Sequence, residues 1–262
     1  MKEDQDPLTA FVSRSLRAVV DEVRSEVIAR DERRELERIR FRRDGSAESL
    51  ILKRVPTDDA LETQLLPFLA RKTDRVPAVR SRGIPPAAAR AWPWVLHEDV
   101  VDLQSACEED PREIVRAKAA IERAVAGDVP ALRALGVPTL TPAELVARVA
   151  ERPGADGADI AAARTAALAL EALPVVLAHG DLACANTRLT ERGVVLVEWR
   201  AAHLGRGILD VARLASDLRA RGDKTAERLY PLYAELTGSP AGADLIRAAE
   251  MVDALVRGGA KR

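Results

Sequence analysis

Aromatic side chains are scarce: Phe, Trp and Tyr make up 3% of the 262 residues. A chain this poor in rings has little to offer as a stacking platform for single-stranded nucleic acid, and its core volume must come from Ala, Val and Leu. Charge of one sign is also lacking. Lys and Arg number 40 against 41 Asp and Glu, a formal net charge of -1, which gives no bulk attraction to nucleic acid or to an anionic membrane. Long hydrophobic runs are missing too, because the longest, 166–178, is interrupted by Glu171 and Pro174 and is too short to span a bilayer. Histidine occurs only at 97, 179 and 203 and cysteine only at 107 and 184, without the close spacing of a zinc site. The acidic start Met1-Lys2-Glu3-Asp4-Gln5-Asp6 is unlike the basic, then apolar, opening of a signal peptide. These absences lead to the expectation of a cytoplasmic protein with no nucleic-acid or membrane partner, in which Cys107 and Cys184 are reduced thiols rather than a bridge. Oligomeric state leaves no mark on the sequence.

What the sequence does hold is concentrated between residues 175 and 200. Two β-branched runs, 175–178 and 194–197, read as a pair of buried strands. His179, Asp181 and Asn186 follow the first run and Glu198 follows the second at once, so four polar side chains are expected to converge beside one strand pair. His-x-Asp-x-x-x-x-Asn is the spacing of kinase catalytic loops, in which the aspartate accepts the proton of the attacking hydroxyl and the asparagine oxygen ligates Mg²⁺. Two residue types are needed for a physical reason. A carboxylate must stay ionised to receive the proton, and a neutral oxygen can bind the metal without competing for it.

On His179-Gly180-Asp181-Leu182, Asn186, the strand ending in Glu198-Trp199 and the later Asp210-Val211-Ala212, the chain resembles the aminoglycoside phosphotransferase and choline kinase-like family. The resemblance implies an α+β, protein-kinase-like fold, with a small N-terminal antiparallel-sheet lobe over residues 1–98 and a larger, mainly helical C-terminal lobe over 99–262. It implies ATP and Mg²⁺ as cofactors, a small-molecule hydroxyl as acceptor, Asp181 as base, and Asn186 and Glu198 as metal ligands. It further implies that Lys53 pairs with phosphates and that the main chain of His97 and Asp99 meets the adenine edge. The acceptor is expected to meet the variable helices, about 105–173 and 213–257. Two departures stand out. Glu198 occupies a position where the family carries aspartate, and the turn Asp31-Glu32-Arg33-Arg34-Glu35, expected over the phosphates, has no glycine for close backbone approach. They open a second reading, a kinase-fold pseudoenzyme that binds a ligand or regulates without transferring phosphate.

Along the chain, apolar spacing predicts an amphipathic helix over 8–25, a short strand at 27–29, a strand over 36–43, a hairpin turn at Asp44-Gly45 and a strand over 50–55. Lys53, one of six lysines, either points inward or is an edge-strand lysine facing solvent. Glu62 either pairs with Lys53 or is the N3 residue of a helix capped by Asp59. Residues 77–93 read as a proline-rich loop and 94–100 as a strand running into an acidic turn. Asp110-Pro111 and Thr141-Pro142-Ala143-Glu144 read as helix starts, 152–157 as a connection and 161–173 as an Ala-rich helix. Helices over about 211–237 and 241–256 finish the chain, the last stopped by Gly258-Gly259. His179 is read as a packed structural ring, Asp210 as an anchor of the loop, and His203 and Arg206 as part of a solvated loop. Glu108, Glu109 and Asp110 are either an attractor for an amine-bearing acceptor or a solvated helix start.

Overall fold

The computed structural model describes residues 6–83, 92–101, 103–151 and 156–258. Residues 1–5 of the acidic start, residues 84–91 of the proline-rich loop, residues 152–155 of the 152–157 connection and Gly259 lie outside the described residues. Two compact units divide the chain, Met1–Asp102 and Leu103–Arg262.

The first unit opens with helix α1 (Pro7–Leu16), capped by the Asp6 side chain, which accepts from the Thr9 N–H. It stops far short of residue 25 because Arg17 turns left-handed, φ 54, and Val20 and Val23 pack on the sheet instead. β-Branched residues favour that outcome. Strands β1 (Asp21–Arg30), β2 (Glu35–Arg43), β3 (Ser46–Arg54), β4 (Val79–Gly83) and β5 (Trp94–Glu98) form one antiparallel sheet in the order β1-β2-β3-β5-β4. The β2–β3 hairpin turns at Asp44 and Gly45, both at positive φ, as a two-residue turn of this twist requires. Alternation in β2 sends Ile39 and Phe41 into a core with Val12, Leu50, Leu52 and Leu96, and Phe11 meets Trp94 edge to face. Helix α2 (Leu61–Leu69) follows β3. Its N-cap is Ala60 with no side-chain bond, so Asp59 does not cap it.

The second unit is mainly helical: α3 (Pro111–Val125), α4 (Val129–Ala134), α5 (Pro142–Ala150), α6 (Gly157–Leu170), α7 (Ile208–Ala220), α8 (Leu229–Thr237) and α9 (Ala243–Gly258). Asp110 caps α3, and Thr141 with Glu144 forms a complete capping box on α5. The single helix expected over 211–237 is divided after Ala220, where Gly222 adopts φ 78. Helix α6 packs on α5 and α9, and Ala163 and Ala167 of α6 and Ala248 and Ala249 of α9 are buried, so small side chains supply core volume where aromatics are scarce. Among the described residues, four short strands sit among the helices, β6 (Val175–Ala178), β7 (Thr187–Thr190), β8 (Gly193–Leu196) and β9 (His203–Arg206). They pair as β6 with β9 and β7 with β8, so the two apolar runs are not partners of each other. Among the described residues no helix is long and apolar enough to cross a membrane.

Candidate functional site

The loop from His179 to Asn186 leaves β6 and ends at β7. Although β6 and β8 belong to different sheets, the loop is stitched to the end of β8 twice. His179 Nε2 lies 2.8 Å from the Val197 carbonyl, and the Val197 N–H donates to the Asn186 carbonyl at 3.0 Å. Glu198 therefore follows directly on a residue whose backbone is bonded to Asn186, through loop contacts rather than strand pairing. The Asn186 amide nitrogen donates to Asp181 twice, to the main-chain oxygen at 2.8 Å and to Oδ2 at 3.1 Å. That bond turns the amide oxygen away from Asp181, and among the described residues this oxygen accepts no hydrogen bond. Gly180, φ 80, is required here because a Cβ would collide with the Ala201 carbonyl oxygen.

Beneath the loop lies a buried charge network. Asp210 Oδ2 accepts from the His179 N–H at 2.7 Å and Oδ1 from the Gly180 N–H at 2.9 Å, the anchor expected of it. Lys118 on α3 stands 3.1 Å from Asp210, pairs closely with Glu122, and Glu122 accepts from Tyr233. Lys118, Glu122 and Tyr233 were not foreseen. The i, i+4 spacing of Lys118 and Glu122 on α3 reads as an ordinary surface pair, nothing local shows that it is covered, and Tyr233 comes from α8. Burial pushes the Asp210 carboxyl up, but Lys118, His179 and the loop N–H groups outweigh it and hold it below the ordinary range. Burial pulls His179 down against the opposing pull of Asp210, so its ring is neutral and structural, packed on Trp199 with centroids 4.7 Å apart.

Glu198 adopts φ 66, ψ 60, the left-handed region that longer side chains rarely enter. Strain of this kind gathers at functional sites because the surroundings must enforce it. Its carboxylate acts on Arg188 through space, where burial pulls the guanidinium down and Glu198 opposes the shift. The amide oxygen of Asn186 and the carboxylate of Glu198 are hard oxygen donors, the chemistry that suits Mg²⁺.

In the first unit Lys53 is 2% exposed on β3, a strand flanked by β2 and β5, so it is not an edge lysine facing solvent. Its ammonium donates to Glu62 Oε2 at 2.6 Å. The ion-pair reading of Glu62 holds, and the cap reading does not. His97 lies in the sheet opposite Ile51 and Val79, with Nδ1 2.8 Å from the Glu98 carbonyl. Asp99 takes Arg38 Nε at 2.6 Å, and although burial raises its carboxyl, that bond with those from Val101 and Ser49 brings it below the ordinary range. The glycine-free turn is closed by Asp31 Oδ1, which accepts from the Arg33 and Arg34 N–H groups.

Two further expectations are overturned. Cys107 and Cys184 are joined in a disulfide, not left as thiols. A separation of 77 residues gives no hint that the fold brings a one-turn helix at 106–108 against the loop, with the two Cα atoms 5.5 Å apart. His203 and Arg206 lie not in a solvated loop but buried in β9, where Arg206 binds the Glu171 carbonyl at 2.7 Å and its carboxylate at 3.0 Å. Of the acidic trio, Asp110 is the helix cap and ion-pairs with Arg112, while Glu108 and Glu109 are exposed beside it.

The sequence model of the phosphotransferase enzyme family matches residues 31–245. No curated protein matches the sequence. Among solved structures, the chain is similar to an aminoglycoside phosphotransferase of Streptomyces rimosus in complex with ADP and streptomycin, at 20% identity and TM-score 0.60, over 96% of this chain and 99% of that one. It is also similar to a macrolide 2'-phosphotransferase of Brachybacterium faecium, at 20% identity and TM-score 0.62, over 94% and 88%. A choline/ethanolamine kinase family protein of Mesorhizobium loti aligns at 16% identity and TM-score 0.60, over 96% and 84%. The shared fold is the protein-kinase-like α+β arrangement.

Proposed function

We infer the function from the premise that the chain belongs to the phosphotransferase enzyme family: it transfers the γ-phosphoryl group of ATP to a hydroxyl of a small molecule. The observation that supports this most is the loop itself, where Asp181 and Asn186 are bonded to each other and tied by backbone to the residue before Glu198. In the transfer, a bond forms between the acceptor oxygen and the γ-phosphorus, and the bond to the β,γ-bridging oxygen breaks to leave ADP. The acceptor proton passes to the Asp181 carboxylate. Asn186 and Glu198 would hold Mg²⁺, which when bound neutralises charge on the phosphate oxygens. Lys53, held by Glu62, is the phosphate-pairing group of the first unit, and the main chain of His97 and Asp99 is assigned to the adenine edge. Most of the acceleration comes from positioning and charge neutralisation. That Lys53, Asp181 and Asn186 are all retained speaks against a binding module that has lost phosphoryl transfer.

Titration calorimetry with ATP and Mg²⁺ or Mn²⁺, followed by ADP release against a panel of hydroxylated compounds, tests this reading. Binding is expected to be lost on Lys53→Met and turnover on Asp181→Ala. No heat at millimolar nucleotide would overturn it.

A further inference from the structure

One face of α7 runs along the whole loop. Asp210 takes the His179 and Gly180 N–H groups, Arg213 takes the Asp181 side chain, and Asp217 takes the Cys184 N–H at 2.8 Å. Positions 210, 213 and 217 follow the three- and four-residue steps that stack side chains on one helix face. The middle contact is the one that touches the chemistry. Arg213 directs Nε at 3.1 Å and Nη2 at 3.0 Å onto a single oxygen, Asp181 Oδ1, while Oδ2 receives one N–H, from Asn186 at 3.1 Å. Two charged donors on one oxygen and one neutral donor on the other make the carboxylate unequal. The side chains of Arg213 and Asp181 remain 27% and 42% exposed, so an acceptor can reach the carboxylate without unfolding the loop. Arg213 also feels the buried Asp253 of α9, whose own partner is Arg257 at 2.7 Å, so Asp181 is the only carboxylate that its N–H groups bond directly among the described residues.

We propose that Arg213 is a positioning residue for phosphoryl transfer: by gripping Oδ1 it fixes the rotamer of Asp181 and leaves Oδ2 as the oxygen that receives the acceptor proton. The proposal rests on the reading of Asp181 as base. A planar fork with two N–H groups on one atom sets both the distance and the direction of the carboxylate, which a lysine, with a single point of attachment, sets less well.

The test uses the full chain and ATP with Mg²⁺, water serving as the acceptor so that no substrate need be known. Arg213→Ala is expected to lower kcat for hydrolysis by about 10- to 100-fold, the scale of a misplaced catalytic group, with KM for ATP unchanged. Arg213→Lys recovers part of the loss. Because Arg213 acts through Asp181, adding Arg213→Ala to Asp181→Ala causes no further loss, whereas a merely structural role lowers the rate in either background. The proposal is overturned if Arg213→Ala leaves kcat intact or adds its full effect to Asp181→Ala. The reading of Asp181 fails separately if Asp181→Ala hydrolyses ATP as the unaltered chain does. If the unaltered chain binds ATP and hydrolyses none, both fall.

Discussion

Lys118 and Asp210 meet 3.1 Å apart inside the second unit, one on α3 and the other on α7, and through Asp210 the lysine holds two backbone N–H groups of the candidate catalytic loop. Neither charge has water to turn to. Lys118→Met leaves Glu122 and Asp210 buried without their cation and is expected to cost about 3–5 kcal/mol, the range for breaking a buried ion pair from one side. Denaturant unfolding measures it, and a change below about 1 kcal/mol would show that the network is no more than a surface-type pair.

In the first unit the same logic applies to Lys53 and Glu62, both buried at 2.6 Å. Lys53→Met leaves the Glu62 carboxylate without its lysine and should destabilise by about 3–5 kcal/mol, yet Lys53→Met with Glu62→Leu should destabilise less than the single change. Nucleotide binding is lost in both. Unfolding curves beside calorimetry with ATP separate the two effects, and a double variant that falls further than the single one contradicts the argument.

The disulfide carries a prediction of its own. With only two cysteines in the chain, thiol titration of the denatured, unreduced protein should find no free thiol. Closing a loop of 77 residues limits the unfolded chain enough for a ceiling of about 4.5 kcal/mol, with about 2–4 kcal/mol usual in practice. Cys107→Ser with Cys184→Ser should lower stability by that amount. Two titratable thiols would place the expectation of a reduced pair back in force.

Acid should weaken the second unit in two stages. His179 has its folded pKa lowered, by burial first, so its contribution is present above the unfolded value of about 6.5 and is lost as pH falls toward the folded one. The groups that face it are Asp210, Asp181 and Lys118. Asp210 is also lowered, so its contribution persists until pH drops below about 3.9 and on through its folded value. Unfolding midpoints measured downward from pH 7 should fall, and His179→Asn should flatten the first stage. Flat midpoints to pH 5 in the unaltered protein would sink the assignment of a buried neutral ring.

Much of the site was legible because its residues lie close in sequence. His179, Asp181 and Asn186 share one loop, so residue type and spacing announce them, and Glu198 follows an apolar strand at once. Lys53 stood out as a charge inside an apolar run. What was hidden depends on contacts across long separations: Lys118 with Asp210, Arg213 with Asp181, Cys107 with Cys184. None has a periodic signature. The helix expected over 8–25 failed differently, since Val20 and Val23 satisfy helical spacing and strand propensity alike, and tertiary packing decided for the sheet.

Glu198 separates backbone from metal. At φ 66 and ψ 60 a glutamate bears a left-handed cost that aspartate, with its shorter side chain able to bond its own backbone, bears less of. Glu198→Asp should therefore gain up to about 1 kcal/mol of stability. The same change withdraws the carboxylate by about one methylene, roughly 1 Å, and Mg²⁺ tolerates little departure from octahedral geometry. Hydrolysis of ATP is then expected to fall, by up to about 100-fold, and to respond differently to Mg²⁺ and Mn²⁺. Unfolding and steady-state rates on one preparation read both signs. A protein that becomes more stable and slower has its backbone set for glutamate as a ligand, whereas one that becomes faster shows that glutamate impairs a site built for aspartate.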